Sequence, residues 1–77
     1  MKTITTYYDN DLYTVTVDNN TTLERLEMTF RTPVSLKEAV KTAKKYMREM
    51  DYGEDDVTAY VTNSYTGEVL AEIEKRA

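Results

Sequence analysis

The chain lacks histidine, cysteine and tryptophan altogether, and it has one proline and two glycines in 77 residues. Each absence excludes chemistry. Histidine is the side chain whose ordinary pKa places its charge change between about pH 5 and 8, so the usual general base is missing. Without cysteine there is no thiolate nucleophile, no disulfide and no zinc site built on Cys and His ligands. Two glycines cannot make a glycine-rich loop that cradles phosphate. The only serines are Ser35 and Ser64. What remains for function is Asp, Glu, Lys, Arg, Tyr and Thr, a set that serves recognition better than catalysis. The composition predicts a protein that is not an enzyme and carries no cofactor and no metal.

What is there fits one small domain. Apolar residues make up 40% of the chain and charged residues 31%, with a net charge of −4. A core this small has little stability to spare, so packing must be efficient or a second copy must add to it. No apolar run approaches the roughly 20 residues of a transmembrane helix, so no membrane partner is expected. The opening Met1-Lys2-Thr3-Ile4-Thr5-Thr6-Tyr7 reads as a strand rather than a signal peptide. The absence of cysteine fits a reducing compartment, and the cytoplasm is the expected location. The acidic balance disfavours nonspecific nucleic-acid binding by the domain as a whole.

The clearest local signal is Ser35 to Met50, SLKEAVKTAKKYMREM. Ser35 followed by Glu38 makes a capping box, and Pro33 stops any earlier helix. Leu36, Val40, Ala43, Met47 and Met50 recur at helical spacing and predict the buried stripe, with Ala39 and Tyr46 flanking it. Gly53 is the expected left-handed residue closing the helix.

Alternation of apolar and polar residues marks the strands. It appears at Ile4, Thr6 and Tyr8; at Tyr13, Val15 and Val17; and at Leu26, Met28 and Phe30. Asn19-Asn20 suits a two-residue turn pairing Asp18 with Thr21, which puts Val15, Val17, Leu26 and Met28 on one face. After the helix, Val57, Ala59 and Val61 alternate, then Val69, Ala71 and Ile73, around a turn where Gly67 closes a G1 bulge. Lys75-Arg76-Ala77 is expected to fray. The predicted fold class is α+β: a two-layer β-β-β-α-β-β arrangement, its mostly antiparallel sheet covered on one face by a single helix over about residues 35–50.

Four groups of residues are candidates for function. Lys37, Lys41, Lys44, Lys45 and Arg48 lie within about 100° of the helix circumference, which suits either phosphates or an acidic protein; the plain alternative is a solvated outer face. Asp51, Glu54, Asp55 and Asp56 form an acidic loop without the spacing of a calcium loop. It could hold a cation weakly, imitate nucleic acid or simply be solvated. Seven tyrosines against one phenylalanine is a skewed aromatic choice, though tyrosine also has high strand propensity. If Val57, Ala59 and Val61 face the helix, Thr58, Tyr60 and Thr62 face away, with Leu70 beside them. That outer face is the predicted contact surface, because tyrosine suits interfaces with one apolar and one wet end.

The segment from Ser35 through Ile73 resembles short bacterial and phage proteins in which a helix of the pattern SLxEAVxxA precedes a hairpin turn reading TGEV, here Thr66-Gly67-Glu68-Val69. The resemblance carries no functional residues over. It implies a small accessory protein, phage- or mobile-element-encoded, acting as a binder or inhibitor. The leading expectation is therefore a non-catalytic protein–protein interaction module, using Tyr60, Leu70, Thr58 and Thr62 or an exposed edge strand, with a homodimer as one form. The alternative is nucleic-acid binding through the basic helix stripe, or acidic mimicry of nucleic acid.

Overall fold

A computed structural model describes residues 12–77. Strands β1 (Tyr13–Asn19), β2 (Glu24–Thr29), β3 (Val57–Asn63) and β4 (Val69–Lys75) form one antiparallel sheet in the order β2-β1-β3-β4, with helix α1 (Leu36–Met50) between β2 and β3 in sequence. This is the expected two-layer α+β architecture. The strand predicted at Ile4, Thr6 and Tyr8 lies outside the described residues.

The helix begins where the capping signal places it. The Ser35 side chain accepts from the Glu38 N–H at 3.1 Å, satisfying one of the donors that a helix start leaves free. Its other end differs from expectation. Asp51 closes it in an extended conformation, and Gly53, at φ +127°, sits two residues further on. The terminal carbonyl of Met50 is instead capped from the sheet, by the Asn19 side-chain amide at 2.8 Å.

The buried stripe keeps the predicted Ala43 and Met47 but takes in the flanking Ala39 in place of Leu36 and Val40. Ala39, Ala43 and Met47 are buried, Val40 is half-buried, and Leu36 is 38% exposed. The reason is steric. Val15, Val17, Val57 and Val61 already fill the sheet's inner face, so the helix approaches most closely along its smallest residues. Tyr46 and Val40 lie at the margins of this stripe, and Leu36 and Met50 are its first and last residues, where the helix ends leave them partly uncovered. Phe30, Val34, Ala71 and Ile73 complete the margin of the core.

The β1–β2 connection also differs. Asn19 pairs with Glu24 and Val17 with Leu26, so four residues form the loop rather than two. The displacement is even, and Val15, Val17, Leu26 and Met28 still share one face. Asn19 organises the turn: its Oδ1 accepts from the N–H groups of Thr21 and Thr22, both at 2.9 Å, and its carbonyl accepts from Leu23 at 2.8 Å. Asn63 builds the β3–β4 turn the same way, with Tyr65 and Thr66 donating to its Oδ1 and Gly67 to its carbonyl. The two loops differ at one informative position. Gly67 takes φ +78° as expected of glycine, whereas its counterpart Leu23 takes φ +68° and is 85% exposed. A β-carbon in that region costs about 1–2 kcal/mol.

Two substitutions test this packing. Ala43→Leu, filling space that does not exist between helix and sheet, should cost about 1–3 kcal/mol, and Leu36→Ala should cost well under 1 kcal/mol. Chemical denaturation showing the reverse order would mean that Leu36, and not Ala43, is the residue packed tightly against the sheet. Leu23→Gly should raise stability by about 0.5–1 kcal/mol, the relieved strain exceeding glycine's larger entropy loss; a lower urea midpoint would show that Leu23 makes a contact its exposure does not suggest.

Candidate functional site

The outer sheet face is built from Thr14, Thr16 and Asp18 on β1, Thr58, Tyr60 and Thr62 on β3, and longer charged residues on the edge strands. The register sets Tyr60 between Thr16 and Glu72, and Thr58 between Asp18 and Glu74. The structure thus brings the predicted Thr58, Tyr60 and Thr62 together but covers them. Thr58 is buried, and its hydroxyl accepts from the Asn20 side chain at 3.0 Å; Tyr60 and Thr62 are half-buried. Arg25 lies over this face in a two-bond pair with Asp18, at 2.6 and 3.1 Å. The result is a hydrogen-bonded layer of hydroxyls and charges, not an apolar patch.

Leu70, the fourth predicted residue, is 36% exposed, less than Val69 at 53%. Simple alternation predicts the opposite order. A register shift beside Val61 and Thr62 sets Val69 opposite Thr62, a position facing away from the helix, and so removes it from the inward row of Ala71 and Ile73. An extra residue in a strand does this by putting two residues opposite one.

On the other side of β4 lies the open flank of the helix. A cleft of about 250 Å³ is lined by Lys44, Met47, Arg48 and Asp51 from the helix side and by Val57, Ile73, Glu74 and Lys75 from the sheet. A second groove, of about 550 Å³, is lined by the helix residues Leu36, Lys37, Val40, Lys41 and Lys44. The two share Lys44. Their floor is apolar, and Lys37, Lys41, Lys44 and Arg48 of the predicted basic stripe line them together with Asp51, Glu74 and Lys75, whereas Lys45 lines neither. Lys37, Lys41, Lys44, Lys45 and Arg48 are all exposed, and none enters an ion pair among the described residues. Lys45 sits over the Tyr46 ring, at 6.0 Å from its centroid.

The acidic loop is bound up with the chain's own cation. Lys75 Nζ lies 2.9 Å from Asp51 Oδ2 and donates to the carbonyls of Gly53 and Asp55 at 2.8 and 2.9 Å. Asp55 is buried, accepting from Asn19 Nδ2 at 2.9 Å and from the Tyr52 N–H at 3.1 Å. Asp56 accepts from the Ala77 N–H at 2.9 Å. The carboxylates therefore hold the loop and the chain's end, and the tail expected to fray is anchored through Lys75 and Ala77. Among the described residues no three carboxylates converge on a metal-sized site.

The Gly53 N–H and the Lys75 ammonium hold the Asp51 carboxyl below its ordinary value of 3.8. A depressed folded-state pKa contributes stability that is fully present above the unfolded value and lost as pH falls through the folded one. Asp51→Asn should therefore be less stable than wild type by a constant amount near neutrality, and the gap should close only below about pH 4. Urea midpoints measured from pH 7 to 2 check this; a gap independent of pH throughout would show that charge on Asp51 does not matter.

Comparisons with protein-family models, with curated proteins and with solved structures find no match to this chain.

Proposed function

We propose that the protein is a non-catalytic protein–protein interaction module whose contact surface is its β4 side. One observation carries this reading. The helix lies over β1 and β3, so at β4 an edge of the described sheet adjoins an apolar-floored cleft, with Val69 and Leu70 exposed on the strand and Leu36 exposed on the helix. Clustered exposed apolar groups beside an open strand edge favour association. The outer face around Tyr60, the first expectation from sequence, is polar and internally bonded, which leaves it less to offer a partner.

The exposed, unpaired helix cations also fit a second reading, contact with nucleic acid. The net charge of −4 opposes it, because phosphate binding depends on a field of one sign over the contact. No helix is long and apolar enough to cross a membrane among the described residues.

The double variant Leu36→Lys/Val69→Lys changes two exposed residues and should keep a melting temperature within a few degrees of wild type. Quantitative affinity capture from the source cells should then show specific partners lost relative to wild type. Capture of the same proteins by the folded variant would move the interface elsewhere. Submicromolar DNA or RNA binding by wild type that falls steeply with salt, and vanishes in Lys41→Gln/Lys44→Gln/Arg48→Gln, would favour the second reading instead.

A further inference from the structure

Resting on that reading, we propose that the partner enters as an extended strand added to β4, with apolar and acidic side chains toward the helix and basic or neutral side chains on the opposite face. Strand β4 ends the sheet order among the described residues, and a terminal strand offers backbone N–H and C=O groups to an incoming chain. Successive residues of an added strand point to opposite faces, so the surroundings on each face select for alternate residues.

The two faces differ sharply in charge. On the helix side of β4, the cleft has Met47, Val57 and Ile73 at its floor and Lys44, Arg48 and Lys75 against Asp51 and Glu74 around it, and the adjoining helix groove adds Leu36 and Val40 with Lys37 and Lys41. Away from the helix the next strand position meets exposed Leu70 and Glu72, and Glu74, which is exposed and pairs with Arg76 at 3.4 Å. Opposite charges directly across a sheet are favourable and like charges are not. A second copy of this chain joining through β4 would set these glutamates against their own counterparts, so self-pairing is disfavoured there.

The test uses the full chain and two end-blocked peptides of identical composition. VKETIKETV places valine, isoleucine and glutamate on one face and lysine and threonine on the other; VEKTIEKTV exchanges the charges. The first should shift backbone amide NMR signals of β4 and of Leu36 and Val40, and bind about tenfold tighter than the second, as several exposed ion pairs together would give. The difference should shrink in high salt and shrink again in Lys41→Gln/Lys44→Gln/Arg48→Gln, which leaves the β4 glutamates to discriminate.

Equal binding of both peptides at β4 overturns the charge selection and leaves the contact surface standing. Binding of neither, while Leu36→Lys/Val69→Lys still loses captured proteins, overturns strand addition alone. If β4 amides in the free protein exchange with solvent as slowly as those of β1, the edge is already taken, and both this inference and the contact surface fall.

Discussion

A single helix about 10 Å across can cover two strands spaced about 4.8 Å apart, and this sheet has four described strands. The rest of the structure follows from that mismatch of widths. The two central strands contribute Tyr13, Val15, Val17, Val57, Ala59 and Val61 to a sequestered core. Each edge strand keeps its inward residues half-covered. The helix could have shielded one edge by shifting sideways, but Ala39 and Ala43 seat it over the centre, where close approach buries the most valine surface. The open trough along β4 is the geometric remainder of a well-seated helix.

Charge is segregated around this arrangement. Most cations of the helix point to solvent on its β4-facing flank, while the carboxylates after it are bonded to backbone, to Asn19 and to Lys75. Asp51, Asp55 and Asp56 of the acidic loop therefore have little left to offer an external cation or a phosphate-binding protein. Helix cations without an ion pair among the described residues line the helix rim, and Glu72, with the Arg76-paired Glu74, lies on the outward side of β4. They bracket the same strand edge from its two faces, with opposite sign.

Much of the fold was legible because its signals are local. Ser35 with Glu38 fixes the helix start, and period-two runs fix the strands and their inward faces. The errors arose where size or geometry overrode pattern. Periodicity puts Leu36 and Val40 in the core with Ala43 and Met47, yet packing against a valine-rich sheet buries Ala39 in their place. Turn rules assign positive φ to Asn19-Asn20 or glycine, yet the loop places it at Leu23, and Asn19 instead serves as an acceptor. The candidate surface was less legible still. Tyr60 faces outward as alternation requires, but the threonines and the Arg25–Asp18 pair that cover it come from other strands, and the shift exposing Val69 leaves no mark in the alternation itself.

Asn19 has a consequence for how the molecule assembles. Its side chain uses both amide hydrogens and both acceptor positions: two bonds close the local turn, and two reach Met50 and Asp55, 31 and 36 residues away. The first hairpin can form its turn as soon as β1 and β2 meet, but its buried amide lacks partners until the helix end and the following loop have arrived. An isolated hairpin therefore gains nothing from half of its own organising residue. The last contacts to form complete the first turn, which couples early local structure to late long-range docking and penalises species that stop between them.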